Sequence, residues 1–441
     1  MNEEYMNEEE LQESLPDSEN GAELAGQLPG EAQSEIEAVS VEETQAADVT
    51  EAASDEEAEK KQKPKGRVIF SLFITLFCGL VICLSVYGFI VPDRDFSESE
   101  SRLLAQLPDI TVSGVLDGSF MKGVESYLTD QFPFRDEVIY VKSLSERALG
   151  KKEENGAYIG KNGFLFEKQT AYDEAKMQNI AESINRFANA FKGINTVFAL
   201  VPNSSFIYSE NLPDYLEAEN QQLQTEDFYA LLDERIITVD TVTPLLEAKS
   251  SHQVFYKSDH HWTTRGAFAV FEKIIGIFGE TVEKNCFEFY AVSNSFEGTL
   301  SSKSPAQAVC DSVEVCFPEN SQGTYFAEFS DEGNKRESLF FKEKLEQKNH
   351  YEVFLGSNCA KVSVSTVVEG DRKLLVIKDS FANCMIPMLT PYFSKIVVVD
   401  PRYMTEGIDG IMKEEVFTDI LFLYNANTFF DDTVLTDVLG Y

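Results

Sequence analysis

An unbroken apolar run constrains this chain more than any other feature. The 24 residues Val68–Val91 contain no charged side chain, and a helix of that length, at about 1.5 Å per residue, crosses a hydrocarbon core about 30 Å thick. A basic cluster at residues 60–67 precedes the run and acidic residues follow it. Because lysine and arginine favour the cytoplasmic side, we expect an uncleaved signal anchor with a cytoplasmic N-terminus and an extracytoplasmic C-terminal domain. A cleaved signal peptide is the alternative.

The segment before the apolar run is strongly acidic. Residues 1–59 contain no lysine or arginine, and the whole chain has a formal net charge of -38. A segment with so few aromatic residues cannot bury enough apolar surface to order itself, so residues 1–67 are expected to form a disordered cytoplasmic tail. The tail is either a solvated arm or an interaction segment for a basic partner. The acidic remainder of the chain argues against nucleic acid as a partner.

The pattern after the apolar run changes twice. Residues 92–154 read as a membrane-proximal stalk that is partly helical, and residues 155–441 alternate between strand-like and helix-like segments. A Lys-Asn-Gly turn between two apolar runs at residues 158–166 indicates a β-hairpin. The region 280–373 interrupts the alternation and is interpreted as an insertion or lid with β-like pieces at residues 287–292 and 362–368. Such alternation predicts an α/β domain with a parallel sheet that is covered on both faces.

The predicted elements of this domain fall into two sets. Strands are expected at Thr196–Val201, Ile236–Val239, Leu374–Ile377, Ile396–Val399 and Ile420–Leu423. Helices are expected at Ile180–Phe191, Thr225–Arg235, Thr243–Ala248, Ala382–Tyr392 and Thr405–Lys413, with a further helix through Phe278 that Thr263 or Thr264 caps.

Side-chain chemistry is densest in the stretch Tyr256–Phe268. Asp259 lies two residues before His261, close enough for a carboxylate to hold an imidazole in one tautomer. A hydrolytic triad would also need a nucleophile, and Ser380 directly follows an apolar strand, where a hydroxyl is exposed on a turn. Both motifs directly follow apolar strand-like runs, at Val254–Tyr256 and Leu374–Ile377. Since the carboxyl ends of parallel strands meet at one edge of a sheet, we expect Ser380, His261 and Asp259 to converge. The alternatives are a helix cap for Ser380 and Asp259 and a structural role for His261.

Other residues are candidates for binding roles. Asn203 and Asn383 could donate amide hydrogens to an oxyanion, Arg402 could hold an anionic substrate or form a surface salt bridge, and Trp262 is a further candidate at the site. His260 is expected to point away from His261. The spacing of cysteine and histidine indicates no metal site, and no cofactor is expected.

Five cysteines lie outside the apolar run, an odd number, so at least one is expected to be free. Cys310 and Cys316 are close enough in sequence to pair, and unpaired apolar thiols are the alternative.

The motif Asp259-His-His-Trp262, followed by Asp379-Ser-Phe381 after an apolar strand, resembles the DHHW family of Gram-positive cell-surface proteins. That family is similar to the SGNH-like domains of the alginate O-acetylation proteins, in which the histidine motif also precedes the serine motif. The resemblance covers roughly residue 94 to the C-terminus. Lys378 stands where SGNH esterases have glycine, a change that the DHHW proteins share.

The resemblance implies an SGNH-hydrolase-like three-layer α/β/α domain, with Ser380 as nucleophile, His261 as general base and Asp259 as its orienting carboxylate. It further implies O-acetylation of a cell-envelope polysaccharide, with a membrane-bound acyl-donor protein as a second partner. A non-catalytic glycan-binding or assembly protein is one alternative. An acetyl esterase with the same triad is another.

Overall fold

The computed structural model describes residues 48–97, 99–100, 102–283, 286–307, 309–319, 324–330, 333 and 335–440. The predicted disorder of residues 1–47 lies outside these described residues. The described residues fall into two units, with the division between Ile82 and Cys83.

A long helix, α1 (Asp48–Ile90), contains the apolar run. Its segment Gly66–Gly88 is long and apolar enough to cross a membrane, and none of its most apolar stretch is buried within the protein. The helix begins at Asp48, inside the segment predicted to be disordered, because alanine, glutamate and lysine there are strong helix formers.

The membrane-proximal region is mostly helical. It contains the elements β1 (Phe96–Ser97), β2 (Arg102–Leu103), α2 (Val112–Asp117), α3 (Ser119–Asp130) and α4 (Arg135–Ala148). The buried carboxylate of Asp130 accepts two hydrogen bonds from Arg102, at 2.5 and 2.8 Å, which join the β1–β2 ribbon to the end of α3. These hydrogen bonds lower the pKa of Asp130 to about 2.

The predicted hairpin is confirmed as part of a small antiparallel sheet of β3 (Glu153–Glu154), β4 (Ala157–Ile159) and β5 (Leu165–Glu167). Asn162 and Gly163 in its turn have φ angles of 55° and 82°. This left-handed pair matches the twist of the two strands it connects.

The rest of the second unit supplies the main strands and helices. Its strands are β6 (Asn195–Val201), β7 (Ile236–Thr238), β8 (Phe287–Phe296), β9 (Asp311–Pro318), β10 (Tyr325–Phe329), β11 (Lys335–Arg336), β12 (Lys361–Thr366), β13 (Lys373–Lys378), β14 (Lys395–Val399) and β15 (Asp419–Asn425). Its helices are α5 (Glu174–Ala190), α6 (Ser204–Ile207), α7 (Gln221–Tyr229), α8 (Val242–Lys249), α9 (Thr264–Ile277), α10 (Thr299–Lys303), α11 (Ile386–Leu389), α12 (Asp409–Glu414), α13 (Ala426–Asp431) and α14 (Leu435–Leu439). Short 3-10 turns lie at Ser209–Asn211, Lys342–Glu346, His350–Val353, Ser380–Cys384 and Pro401–Tyr403.

Eight of the described strands form a central sheet, in the order β11-β10-β12-β14-β13-β15-β6-β7. The five strands from β14 to β7 are parallel, as the alternating pattern predicts. Successive residues of β13 point to opposite faces of the sheet, so Leu374 and Val376 join one apolar cluster and Leu375 and Ile377 the other. The sheet is therefore covered on both faces, as a three-layer α/β/α domain requires.

Some predicted segments differ from the structure. The helix predicted at Thr225–Arg235 is α7, which ends at Tyr229. In the region 280–373, β8 and β9 form an antiparallel sheet of their own, whereas β12 joins the main sheet antiparallel to β14 and β10 pairs antiparallel with β12. The helix predicted at Ala382–Tyr392 is instead a 3-10 turn followed by α11. Pro387 lies in the first turn of α11, and proline is tolerated there but not in the interior of a longer helix.

Candidate active site

Two loops bring the motif residues together. Ser380 begins the 3-10 turn after the central strand β13. Asp259 and His261 lie in the turn before α9, and Thr263 caps that helix by accepting from the Gly266 amide. The run Val254–Tyr256 does not join the main sheet, contrary to the expectation that both motifs follow sheet strands. It forms only a bridge between Phe255 and Trp262.

Direct hydrogen bonds join the two loops. The buried Trp262 Nε1 donates to the Phe381 carbonyl at 2.8 Å. The Tyr351 hydroxyl donates to the Ser380 carbonyl at 3.0 Å, and its ring stacks on the His261 imidazole with centroids 3.8 Å apart. Side chains from three parts of the sequence thereby fix the position of Ser380 relative to His261.

Ser380, His261 and Asp259 form one chain of hydrogen bonds. His261 Nε2 lies 2.8 Å from Ser380 Oγ, and His261 Nδ1 lies 2.5 Å from Asp259 Oδ1. Asp259 Oδ1 also accepts from the backbone amide of His261 at 3.0 Å. Asp259 and His261 are buried and Ser380 is half-buried, so the serine is the member of the chain nearest to solvent.

Burial largely determines the charge state of His261 in this hydrogen-bonded set. Burial lowers the pKa of His261 to about 4, with the neighbouring His260 acting in the same direction and Asp259 opposing it. Burial would raise the pKa of Asp259, but the two histidines and the hydrogen bonds outweigh it and hold that pKa well below its usual value. At neutral pH a neutral His261 donates from Nδ1 to a carboxylate, which leaves Nε2 to accept the Ser380 hydroxyl proton.

The turn before α10 holds the second oxygen of Asp259. Asp259 Oδ2 accepts from the backbone amide and the hydroxyl of Thr299, at 2.8 and 2.9 Å. Gly298 packs so closely that a Cβ there would lie 2.2 Å from the Cβ of Asp259. The Ser258 amide and hydroxyl both bond to buried Asp311, at 2.8 and 2.7 Å. The Asp259 carboxylate is thus held in place by residues of the region 280–373, which was predicted to be an insertion or lid.

His260 does not point away from His261, so that prediction is wrong. The two ring centroids lie 3.9 Å apart, because the segment is a tight turn and is neither extended nor helical. The Thr299 hydroxyl donates to Asp259, so in its 2.8 Å contact with His260 Nδ1 it accepts. Asp259, His260 and His261 each offer a metal-ligand atom, all within 4.8 Å of one another. The hydrogen bonds to Thr299, Asp259 and Ser380 already use three of the four ring nitrogens.

A buried charge network lies behind the serine. Lys378 Nζ lies 3.1 Å from Asp400 Oδ2, and the Arg402 guanidinium binds the same carboxylate through two nitrogens at 2.8 and 2.7 Å. Asp379 accepts from the amides of Phe381 and Asn425, at 2.9 and 2.8 Å. The lysine in place of glycine is therefore a buried, paired residue.

The remaining candidates fall in different places. Trp262 is fully buried and supports the Ser380 turn, so it does not line the site. Asn383 is also buried, and its amide donates to Asn358 Oδ1 at 3.2 Å.

Arg402 is held by Asp400 but lines, with His260, a cavity of about 520 Å³. Asn203 follows β6, two strands from β13; it is buried, and its Oδ1 accepts from Gln221 at 2.8 Å.

None of the seven cysteines forms a disulfide, so Cys310 and Cys316 are not paired. Cys384, four residues after Ser380, is buried, and burial raises the pKa of its thiol to about 12. A thiol of this kind is a poor nucleophile.

Sequence reasoning missed Gly298, Thr299, Asp311 and Tyr351. Each contacts the motif through long-range packing, and no local pattern marks them. The only available signal was the Gly-Thr pair before a short helical run, which is too common to identify a site.

Parts of this chain are similar to known proteins. Residues 157–313 match the family model described as "SGNH hydrolase-like domain, acetyltransferase AlgX". This part of the chain is therefore similar to an SGNH-like domain. The matched residues include Asp259 and His261 and end before Ser380.

Curated proteins also share sequence similarity with this chain. A probable alginate O-acetylase AlgJ of Pseudomonas syringae pv. tomato is 24% identical over 208 residues, which are 44% of this chain and 49% of the relative. The corresponding protein of Azotobacter vinelandii is 27% identical over 168 residues, covering 35% of this chain and 42% of the relative. The chain thus spans about half the length, or less, of these relatives.

Solved structures share the fold. A DHHW family protein from Eubacterium siraeum covers 65% of this chain and 96% of its own length, with a TM-score of 0.55 and 20% identity. Bacillus cereus PatB1 covers 63% of this chain and 97% of its own, with a TM-score of 0.54 and 16% identity. Both similarities extend across nearly the whole of the solved chain.

Proposed function

We propose that this chain is a membrane-anchored, extracytoplasmic O-acetyltransferase that modifies a cell-envelope polysaccharide. The observation that carries the proposal is the chain of hydrogen bonds from Asp259 through His261 to Ser380. The names of the AlgJ relatives support acetyl transfer to a polysaccharide. The apolar segment Gly66–Gly88 supports anchoring, and the basic cluster before it supports a cytoplasmic N-terminus.

The first half-reaction loads the serine. Ser380 Oγ attacks the carbonyl carbon of an acetyl donor while His261 Nε2 takes the hydroxyl proton. The tetrahedral intermediate collapses, the bond to the donor oxygen or sulfur breaks, and the proton on His261 passes to that leaving atom. Asp259 remains a carboxylate throughout and stabilises the imidazolium that forms in between.

The second half-reaction transfers the acetyl group. A hydroxyl of the polysaccharide attacks the acetyl carbon, and His261 Nε2 takes its proton. The bond to Ser380 Oγ breaks and the proton returns to the serine, which regenerates the enzyme. Water in place of the sugar hydroxyl gives an acetyl esterase with the same residues, so the acceptor alone separates the two activities.

Developing negative charge on the acetyl oxygen needs hydrogen-bond donors. The backbone N–H of Ser380 is one, because it begins the turn that presents the hydroxyl. The Asn203 side chain is the second, since its Oδ1 is already bound by Gln221 and its Nδ2 remains to donate. The acetyl donor reaches this site from a membrane-bound acyl-donor protein.

Transfer to an acceptor tests this function directly. The full chain in detergent is mixed with p-nitrophenyl acetate and polysaccharide fragments from the source envelope, and acetylated fragments are measured by mass spectrometry. Ser380→Ala should give no acetylated product, whereas Ser250→Ala, which changes an exposed serine at the end of α8, should match the parent.

Two other outcomes decide between the alternatives. Acetate release without acetylated fragments would make the protein an esterase. Fragment binding with neither acetylated fragments nor acetate release would make it a binding module and would contradict the proposal.

A further inference from the structure

Exposed apolar side chains are concentrated just after the candidate membrane helix. Among the described residues, 15 large apolar side chains are exposed between Leu103 and Leu149, against 10 between residues 150 and 440. The ten are scattered singly, as on an ordinary protein surface. The others are dense enough to mark an interaction surface.

Part of this apolar surface forms a groove between two helices. The groove has a volume of about 740 Å³, and its apolar lining consists of Met121, Val124, Leu128, Phe132, Val138 and Ile139. The first three residues lie at helical spacing on α3, and the last two are on α4. Leu128 is 61% exposed and Met121 63% exposed, so this face of the two helices is not covered by the protein itself.

The end of α1 is fixed to these helices by specific contacts. Tyr87 stacks on Phe134 with ring centroids 5.1 Å apart. The Tyr127 hydroxyl donates to Asp93 Oδ1 at 3.0 Å, and the Arg94 amide donates to Gln131 Oε1 at 3.0 Å. The Arg94 guanidinium bonds to Asp136 at 2.8 Å. The residues directly after α1 are therefore joined to the end of α3 and the start of α4.

These contacts limit where the groove can be. Asp93 lies three residues beyond the last residue of α1, so in an anchored chain it sits in the headgroup region that borders the hydrocarbon core. Tyr127 is hydrogen-bonded to Asp93, and Leu128 is the next residue along α3. The exposed groove is thus held within a few residues of the point where the chain leaves the membrane.

We propose that the α3–α4 groove docks on the outer surface of the lipid bilayer, with Met121, Leu128 and Phe132 inserted at the boundary between headgroups and acyl chains. An amphipathic surface at this depth buries its apolar side chains in lipid and keeps Lys122 and Glu125 among the headgroups. The inference rests on the membrane anchoring in the proposed function. It goes beyond that function by assigning a second membrane contact.

Docking would also set the orientation of the candidate active site. Helix α4 is joined to the SGNH-like domain because Ser143 Oγ donates to Glu154 at 2.5 Å and Arg147 donates to the Ala306 carbonyl. Lys348 adds a 2.6 Å bond to the Ser99 carbonyl. A groove fixed on the bilayer would therefore hold Ser380 at a constant height and direction relative to the membrane.

Depth-dependent quenching tests the proposal on the full chain in phosphatidylcholine vesicles. The single native tryptophan, Trp262, is buried and provides a constant background. Three variants each add one probe: Phe77→Trp in the apolar segment, Leu128→Trp in the groove, and Val416→Trp at a residue of the α/β unit that is 83% exposed. Lipids brominated deep in their acyl chains should quench the added emission at position 77, lipids brominated near the top of the chains should quench that at position 128, and neither should change that at position 416.

Each other result has a definite meaning. Quenching at 77 without quenching at 128 would overturn groove docking and leave the anchor intact. A blue-shifted but unquenched probe at 128 would mean that protein, such as a second copy of the chain, covers the groove, and would also overturn the proposal. An unquenched probe at 77 would refute the anchor and the docking together, whereas acetylation of Ser380 is measured separately and is unaffected by any of these results.

Discussion

Large apolar side chains are mostly buried in the α/β unit, residues 155–441, but many are exposed on the membrane-proximal helices α2 to α4. In the α/β unit, Phe198 is fully buried and packs against Phe228, Phe422 and Phe429 beside the sheet. In α3, Leu128 has the same apolar character and is 61% exposed. A side chain buried among aromatic rings stabilises the fold, whereas an exposed one adds little to stability and remains available for binding. Apolar composition alone therefore does not distinguish a core from a docking surface.

Asp259→Asn should have the largest effect, confined to chemistry in the α/β unit. The amide holds His261 in the wrong tautomer, so the rate of Ser380 acetylation should fall on the order of 10⁴-fold. Burst kinetics with p-nitrophenyl acetate measure this rate. A rate within tenfold of the parent would show that Asp259 does not orient the histidine.

Phe198→Ala and Leu128→Ala test the contrast in burial directly. The first should lower the free energy of unfolding by about 3–5 kcal/mol because it leaves a cavity in a packed core. The second should change it by less than about 0.5 kcal/mol, as for other surface substitutions. Urea unfolding followed by circular dichroism gives both values, and equal losses would mean that α3 packs as a core helix.

Gly298→Ala should distort the carboxylate that orients His261. The new methyl group would lie 2.2 Å from the Asp259 Cβ and 2.7 Å from the Ser258 carbonyl oxygen. Overpacking of this kind costs about 1–3 kcal/mol of stability, and the acetylation rate should fall as well.

Gly276→Ala is the matched control, since nothing lies within 4 Å of a Cβ at that position in α9. It should raise stability by up to about 1 kcal/mol through helix propensity and leave the rate unchanged. If both variants behave alike, close packing at Gly298 has no role in the site.

The smallest expected effect is a shift of the pH dependence of Ser380 acetylation to lower pH. Neutral His261 is the active base, and burial lowers its pKa to about 4, so acetylation should persist as the pH falls from 7 through 6.5 and decline only near 4. Stopped-flow acylation from pH 7 to pH 4, on protein shown to remain folded, measures the profile. A half-maximal rate at pH 6.5 or higher would indicate a solvent-exposed histidine instead.

Local patterns in the sequence were enough to predict much of the α/β unit. The parallel strands from β14 to β7 and the turn at Asn162-Gly163 follow from apolar runs and turn residues that act over a few positions. The place of β10 and β12 in the sheet could not be assigned in the same way, because β12 pairs with β14 and β10 with β12, and both partners are distant in sequence.

The candidate site could likewise be predicted where local patterns mark its residues, but not where distant parts of the chain meet. The motif residues Asp259, His261 and Ser380 are recognisable from residue type and spacing, but their supports Thr299 and Tyr351 contact them only through the fold. The adjacent histidine rings were predicted wrongly because a tight turn follows neither strand nor helix periodicity. The exposure of the α3–α4 groove could not be predicted either, because helical periodicity alone does not say whether an apolar face is covered.

The central claim is that Ser380 carries the acetyl group. Intact-protein mass spectrometry after brief acid quenching of a reaction with p-nitrophenyl acetate tests it most directly, with peptide mapping to locate the adduct. The account predicts one added acetyl group on Ser380 in the parent and in Ser250→Ala, and none in Ser380→Ala or His261→Ala. An adduct on another residue, or an equal adduct in Ser380→Ala, would contradict it.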